Sequence, residues 1–312
     1  MDQQLADALS EQLGGATITG LTRLSGGASR ETYRFEADGR PLILQRQRAG
    51  DVRNMGTEAA VLRAAYATGV PVAEVVANSA TATAVGSAFM VLGFVEGETI
   101  ARKILRDDEF AVARASLPAQ LGTALAQLHA ADVSGVDGLT DHDQVAMYRQ
   151  QLDAFGEPHP AFELAFRWLE THRPPTTRRT LVHGDFRLGN VMVGPAGLTA
   201  VLDWELAHVG DPMEDLGWLC VKAWRFGSPL PVAGVGTYEQ LIAAYEAASG
   251  LALDPEVVRW WEVLGTLKWG IMCIGQAATH TNGIARSHEL AAIGRRVCEN
   301  EHDLFLALEG RW

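Results

Sequence analysis

An aspartate, an asparagine and a second aspartate occur at spacings that suit phosphoryl transfer. In the run His183-Gly184-Asp185-Phe186-Arg187-Leu188-Gly189-Asn190, Asp185 stands five positions before Asn190, in a polar loop between two short apolar segments. Asp203 follows thirteen positions after Asn190, at the end of another apolar segment. Phosphoryl transfer needs a carboxylate that orients the accepting hydroxyl and takes its proton, together with hard oxygen ligands for Mg²⁺. These three side chains supply such a set.

The same loop spacing, followed by a metal-binding Asp, occurs in protein kinases, and we base the interpretation on that template. The alternative is that Asp185 and Asn190 only cap turns through hydrogen bonds between side chain and backbone. Three residues of the right types, in the right order and at strand ends, favour phosphoryl transfer over three unrelated turn caps.

Two further motifs extend the pattern. Val201-Leu202-Asp203-Trp204-Glu205 and the later Gly210-Asp211-Pro212-Met213-Glu214-Asp215-Leu216 follow the first loop. Together the three motifs resemble the aminoglycoside phosphotransferase and choline kinase superfamily. The resemblance is greatest to the branch fused to, or encoded beside, acyl-CoA dehydrogenases, and it extends over about residues 20 to 300.

The resemblance implies a bilobal, protein-kinase-like fold of the α+β class with ATP in the cleft. Carried over residue by residue, it makes Asp185 the catalytic base and Asn190 and Asp203 the Mg²⁺ ligands. Glu205 shares a face with Asp203 if the strand continues, and would then hold a metal-bound water. A solvated or structural carboxylate is the alternative for Glu205.

The resemblance also assigns residues that would bind the nucleotide. Between two predicted strands, a glycine loop would let backbone N–H groups approach the phosphates, although a plain hairpin turn fits the same letters. Glu58, on a predicted helix, would anchor a cation from the neighbouring strand. The adenine would lie against the backbone after the apolar run 88–95. The residues in these two segments are Gly26, Gly27, Ser29, Gly93 and Val95.

The cation expected on that strand is missing, because no Lys occurs between residues 1 and 95. Gln45 falls at or next to the expected position, and a neutral amide supplies little field to the phosphates. If the alternation of the strand places Leu42 and Leu44 over the adenine, Arg46 points into the cleft beside them and pairs with Glu58. The alternative is that Arg46 is a solvated surface charge, in which case Arg48, Arg30 or the metal alone would take the role.

Several polar and aromatic residues near the motifs have structural interpretations that we prefer to catalytic ones. Asp211 and Asp215 are expected to hold loop N–H groups, and His183 is expected to orient the loop backbone. A further histidine and three tryptophans would either line the acceptor pocket or belong to the core. These four residues are His208, Trp204, Trp218 and Trp224.

The elements that must position these residues fall into two parts. Before residue 96 the pattern alternates in short strands broken by turns, with one helix over 54–68. After it the pattern is helical except near residues 180–204. We predict a nucleotide-binding lobe at 1–95, with a small antiparallel sheet and one helix, and a mainly helical lobe at 96–312 with the catalytic and acceptor sites.

Composition excludes several other classes. The net charge is −12, and without a Lys/Arg-rich block nucleic acid is not an expected partner. No apolar run is long enough to span a membrane, and no signal peptide is recognisable, so we expect a cytoplasmic protein. Cys220, Cys273 and Cys298 lack disulfide or metal spacing and are expected to be buried free thiols. The oligomeric state is not predicted.

The sequence lacks the motifs of other enzyme classes. There is no Gly-x-Ser-x-Gly elbow and no P-loop. Only a few residues separate Asp203 from Gly210, too few for the peptide-binding activation segment of a protein kinase. We expect a small-molecule hydroxyl acceptor, with a hydroxyacyl compound favoured over an aminoglycoside. A catalytically silent nucleotide-binding protein of the same fold is the runner-up.

Overall fold

The computed structural model describes residues 2–24, 30–48, 54–176 and 178–311. The glycine loop with Gly26, Gly27 and Ser29 lies outside the described residues. The structure is of the α+β class, with an antiparallel sheet near the N-terminus and helices through most of the remainder. That predicted class is confirmed.

The sheet has five antiparallel strands in the order β1-β2-β3-β5-β4. The strands are β1 (Ile18–Arg23), β2 (Arg30–Ala37), β3 (Arg40–Gln47), β4 (Val75–Ser79) and β5 (Phe89–Gly93). β2 and β3 form a hairpin around Asp38-Gly39. Both turn residues have positive φ, 50° and 80°, as a two-residue turn of this type requires. Its register pairs Glu31 with Arg46 and Thr32 with Gln45.

Helices cover both faces of this sheet. Helix α2 (Met55–Ala67) matches the predicted helix, and its N-cap Asn54 accepts hydrogen bonds from Gly56 and Thr57 N–H. A second helix, α1 (Asp2–Gln12), adds to the one helix that the sequence predicted for this part. It buries Leu5, Ala8 and Leu9 against the strand face that carries Leu42 and Leu44, whereas α2 packs with the opposite face.

The remaining helices surround one long central helix. α9 (Pro255–Thr281) contacts five of the others and carries the largest run of buried residues. The others are α3 (Ala101–Arg106), α4 (Ala111–Leu128), α5 (Gln144–Phe155), α6 (Pro160–Thr171), α7 (Met213–Cys220), α8 (Tyr238–Ser249), α10 (His288–Gly294) and α11 (Val297–Leu308). Helix α4 begins at Ala111, six residues before Leu117, where the apolar spacing in the sequence indicates the start of a helix. Its apolar face continues through Pro118, and this burial outweighs the cost of about 3 kcal/mol for an internal proline.

Two small sheets form the part of the fold nearest the motifs. β6 (Thr180–Val182) pairs with β9 (His208–Gly210), and β7 (Val191–Gly194) pairs with β8 (Gly197–Val201). Strand β8 ends at Val201, and Asp203 then adopts a left-handed φ of 64°. The expectation that Glu205 lies on the same strand face as Asp203 is therefore wrong, because the backbone has already left the extended conformation.

Two further properties concern the whole described chain. Within the described residues, none of the helices combines the length and apolar character needed to cross a membrane. Cys220 and Cys273 are buried free thiols, as expected, but Cys298 is exposed on α11. For Cys298 the expectation was wrong, because its position on α11 faces away from the core.

Candidate active site

A buried carboxylate on α7 fixes the backbone of the motif loop. Asp215 accepts hydrogen bonds from the N–H groups of His183, at 2.8 Å, and Gly184, at 2.9 Å. His129 Nε2 lies 3.2 Å from the same carboxylate. Burial opposes ionisation of Asp215, but its hydrogen bonds with His129 and with the loop N–H groups outweigh this effect and lower its pKa. Asp215 is therefore structural, as the sequence analysis expected.

His183 connects the loop to the end of β8. Its Nδ1 accepts the N–H of Asp185 at 3.1 Å, and its Nε2 donates to the carbonyl of Leu202 at 2.9 Å. Complete burial lowers the pKa of His183, so the imidazole is neutral at pH 7. With both nitrogens engaged in the backbone, His183 orients the loop rather than transferring protons.

The carboxylate of Asp185 is held by three N–H donors. Oδ1 accepts from Trp218 Nε1 at 2.8 Å and from Arg187 Nε at 2.9 Å, and Oδ2 accepts from Asn190 Nδ2. Its side chain remains 14% exposed. A fixed carboxylate with one partly accessible edge is suited to accept a proton from a bound hydroxyl.

Asn190 and Asp203 are brought together by a backbone contact, because Leu202 N–H donates to the carbonyl of Asn190 at 2.8 Å. Asn190 Nδ2 also donates to the Asp185 backbone carbonyl, so its amide oxygen is left on the opposite side. Burial raises the pKa of Asp203 to about 6, with further increases from Glu205, Asp185 and Glu58 and a smaller opposing effect from Arg30. Negative charge is therefore concentrated in this cleft.

The cation that pairs with Glu58 is Arg30. Two guanidinium nitrogens of Arg30 donate to the two carboxylate oxygens of Glu58, and Gln45 Oε1 accepts from Arg30 Nη1 at 3.0 Å. Both charged side chains are about nine-tenths buried. Arg30 was named in the sequence analysis only as one alternative.

The prediction that Arg46 pairs with Glu58 is wrong. Arg46 lies 3.7 Å from Glu31, its cross-strand neighbour. It shares a strand face with Leu42 and Leu44, and that face packs under α1, whereas Glu58 approaches from α2 on the opposite face.

One of the backbone groups expected to contact the adenine at the end of β5 already has a hydrogen-bond partner. Gly93 N–H donates to the carbonyl of Glu74 at 2.9 Å. This leaves the Gly93 carbonyl and the backbone of Val95 as the groups that would contact an adenine. That role stays a prediction for both residues.

An aromatic cluster lies beside Asp185. The rings of Trp218 and Trp224 are 5.1 Å apart, those of Trp224 and Trp269 are 4.8 Å apart, and Arg187 lies 4.8 Å above Trp224. Next to this cluster is an open cavity of about 590 Å³. It is lined in part by Arg102, Lys222, Ala223, Phe226, Arg296 and Glu299.

Two other residues considered for the acceptor pocket, Trp204 and His208, line a different cavity and have partners in the fold. Trp204 packs against His183 and donates to the Val201 carbonyl. His208 bonds to Glu214 at 3.1 Å. Asp211 accepts the N–H of Met213 at the start of α7, which is the structural role expected for it.

Sequence reasoning missed Arg187, Trp269 and Lys268 as neighbours of the motif loop. Arg187 is only two positions from Asp185, so its reach was available from the sequence. Lys268 gave a weaker signal, a single charge between the apolar Leu267 and Trp269 of a helix. Such a charge is expected to be paired when its helix is buried.

The fold and the motif loop together define a kinase-like phosphotransferase. The chain belongs to the phosphotransferase enzyme family, whose model matches residues 20–261. This result confirms the resemblance stated on the motifs.

Individual relatives and structures agree with this assignment. The chain is 27% identical to "Acyl-CoA dehydrogenase family member 11" of Gallus gallus, covering 97% of this chain but only 41% of that protein. A macrolide 2′-phosphotransferase from Brachybacterium faecium superposes with a TM-score of 0.67 at 22% identity, covering 94% and 97% of the two chains. A spectinomycin phosphotransferase in complex with ADP and spectinomycin gives 0.69 at 14% identity, covering 98% of each chain. The kinase-like fold is thereby confirmed.

The two arginines should differ sharply in their effect on stability. Arg30→Met leaves Glu58 as an unpaired buried carboxylate, and we expect the free energy of unfolding to fall by about 3–5 kcal/mol. Arg46→Met removes the 3.7 Å, partly exposed ion pair between Arg46 and Glu31 and should lower the free energy of unfolding by at most about 1 kcal/mol. Urea unfolding measures both. Equal losses, or a larger loss for Arg46→Met, would contradict the pairing.

Proposed function

We propose that this protein transfers the γ-phosphoryl group of ATP to a hydroxyl group of a small molecule. The observation that carries the proposal is the Asp185 carboxylate, which three N–H donors hold beside Asn190 and Asp203. The nucleotide would lie between the part of the chain ending at Val95 and the part that begins at Glu96.

Asp185 would act as the general base. The acceptor oxygen forms a bond to the γ-phosphorus while the bond from that phosphorus to the β–γ bridging oxygen breaks, and ADP leaves. The hydroxyl proton passes to Asp185. Oδ2 is the better-placed oxygen, because Oδ1 already accepts from both Trp218 and Arg187.

The donor set fits Mg²⁺. Asp203 supplies a carboxylate and Asn190 an amide oxygen, both ligand types that Mg²⁺ prefers. Burial, and after it the neighbouring carboxylates, raise the pKa of Asp203, and a bound cation would favour its charged form. Within the described ranges, no three His, Cys, Asp or Glu side chains converge to hold a metal by themselves, so phosphate oxygens and water would complete the shell. When bound, the ion neutralises charge on the phosphates.

Arg30 is our choice for the cation facing the phosphates. It is the first residue of β2, directly after the glycine loop, and Glu58 already orients it. The loop residues Gly26, Gly27 and Ser29 remain proposed phosphate contacts.

For the acceptor we favour an anionic hydroxyacyl compound. The cavity beside the tryptophan cluster carries three cations, Arg102, Lys222 and Arg296. Two carboxylates accompany them, Asp303 paired with Lys222 and Glu299 paired with Arg296. A net positive cavity on a chain of net charge −12 suits an anionic group better than a cationic aminoglycoside. The match to a protein named as an acyl-CoA dehydrogenase family member supports the same choice.

Asp185→Asn tests the base. Because other groups hold the nucleotide, its affinity should stay within about threefold of wild type, while kcat falls at least about 100-fold. Steady-state kinetics and calorimetric titration of ATP measure the two quantities. Equal losses in binding and turnover would mean that Asp185 is a metal ligand, and an unchanged kcat would overturn its role as base.

Lys222→Glu tests the acceptor class. We expect KM for an anionic hydroxyacyl acceptor to rise about tenfold or more, with KM for ATP unchanged, because only the cavity loses a cation. The matched control is Lys103→Glu, the same charge change on a lysine that does not line the cavity. A wild-type enzyme that phosphorylates aminoglycosides but no anionic alcohol would contradict the choice of acceptor and leave the transfer reaction itself standing.

A further inference from the structure

Lys268 is a lysine buried in the middle of the central helix α9. Its ammonium donates to the carbonyl of Gly184 at 2.8 Å and to Glu214 Oε1 at 3.2 Å. It also lies 4.4 Å from the centre of the Trp218 ring. A buried ammonium is costly unless it is paired and hydrogen-bonded, and these contacts meet that requirement. None of the roles described above uses this charge.

The contact with Gly184 fixes the peptide unit that precedes the base. The Gly184 carbonyl and the Asp185 N–H belong to one planar peptide group. Lys268 holds the carbonyl end, and His183 Nδ1 accepts from the N–H end at 3.1 Å. Gly184 has a left-handed φ of 79°, and a Cβ there would lie 2.6 Å from the Leu206 carbonyl oxygen. The peptide plane is thus restrained at both ends.

The contact with Trp218 acts on the carboxylate of the base. Trp218 Nε1 donates to Asp185 Oδ1 at 2.8 Å, and the Lys268 ammonium lies over the same indole ring. A cation over a desolvated indole stabilises the position of the ring. One ammonium therefore restrains both the backbone and the side chain of Asp185.

We propose that Lys268 is a positioning residue for phosphoryl transfer, which holds Asp185 in place for the accepting hydroxyl without touching either substrate. The proposal rests on the proposed function of Asp185 as base. Its charge is balanced by Glu214, which His208 bonds from the other side. Displacement of a catalytic group by about 1 Å can lower a rate 100-fold.

Lys268→Met removes the ammonium and keeps most of the side-chain volume. We expect kcat, expressed per molecule that binds the nucleotide, to fall about 10- to 100-fold, with KM for ATP within about twofold of wild type. Trp218→Phe should lower kcat about tenfold, because the N–H donor to Asp185 is lost. In the double variant Lys268→Met/Trp218→Phe the two losses in kcat should not multiply, because both act through the orientation of Asp185.

A second variant keeps the test decisive if the first folds poorly. Lys268→Met/Glu214→Gln removes both members of the ion pair, so no unpaired buried carboxylate remains. It should show the same loss in kcat. The matched control is Arg149→Met, which removes another cation that pairs with a carboxylate, Glu163, and lies over an aromatic ring, Phe166, at 4.3 Å. This control should change the melting temperature but leave kcat within about twofold.

Three results would overturn the proposal. The first is an unchanged kcat in folded Lys268→Met or in Lys268→Met/Glu214→Gln. The others are a rise in KM for ATP at constant kcat, and effects of Lys268→Met and Trp218→Phe on kcat that multiply fully. A wild-type protein without phosphotransfer to any alcohol would instead overturn the proposed function. The two failures are therefore distinguishable.

Discussion

Concentrated negative charge in the cleft is the constraint around which this structure is organised. Glu205, Asp185 and Glu58 act electrostatically on Asp203, and Arg30 opposes them. Burial and this repulsion raise the pKa of Asp203 to about 6. Such an arrangement is unfavourable on its own and becomes favourable when a cation joins it, which supports the proposed Mg²⁺ site.

The motif loop is held rigidly by hydrogen bonds from several parts of the fold. Two N–H groups of the loop are bound by Asp215, and His183 joins the loop to the carbonyl of Leu202. The three donors on the Asp185 carboxylate come from Arg187 and Asn190 within the loop and from Trp218 on α7. Hydrogen bonds prepared in advance spare the chain a reorganisation at the moment of transfer, and such preorganisation is a large part of catalysis.

The parts of the site that are local in sequence were predictable. Asp185, Asn190 and Asp203 lie near one another in the folded chain because one loop and the hairpin that follows it carry all three. Partners across the sheet were harder to predict, and the pairing of Arg46 with Glu58 failed for this reason. Alternation along β3 was correct, but it could not show that α1 covers the face of Leu42 and α2 the other.

The positions of two other residues were mispredicted or missed for the same physical reason. Glu205 was placed by continuing a strand, and the left-handed backbone at Asp203 ends that strand. Lys268 reaches Gly184 across 84 positions of sequence, and only the packing of α9 behind the loop makes them neighbours. Contacts of this kind depend on tertiary packing, which composition and periodicity do not encode.

Calorimetric titration of a non-hydrolysable ATP analogue, with and without Mg²⁺, tests whether Asp203 and Asn190 bind a metal together with the nucleotide. For wild type we predict an affinity at least about tenfold higher with Mg²⁺, for Asn190→Ala a smaller gain, and for Asp203→Ala none, because the charged ligand is lost. An Asp203→Ala protein whose affinity still rises with Mg²⁺ as in wild type would contradict the account.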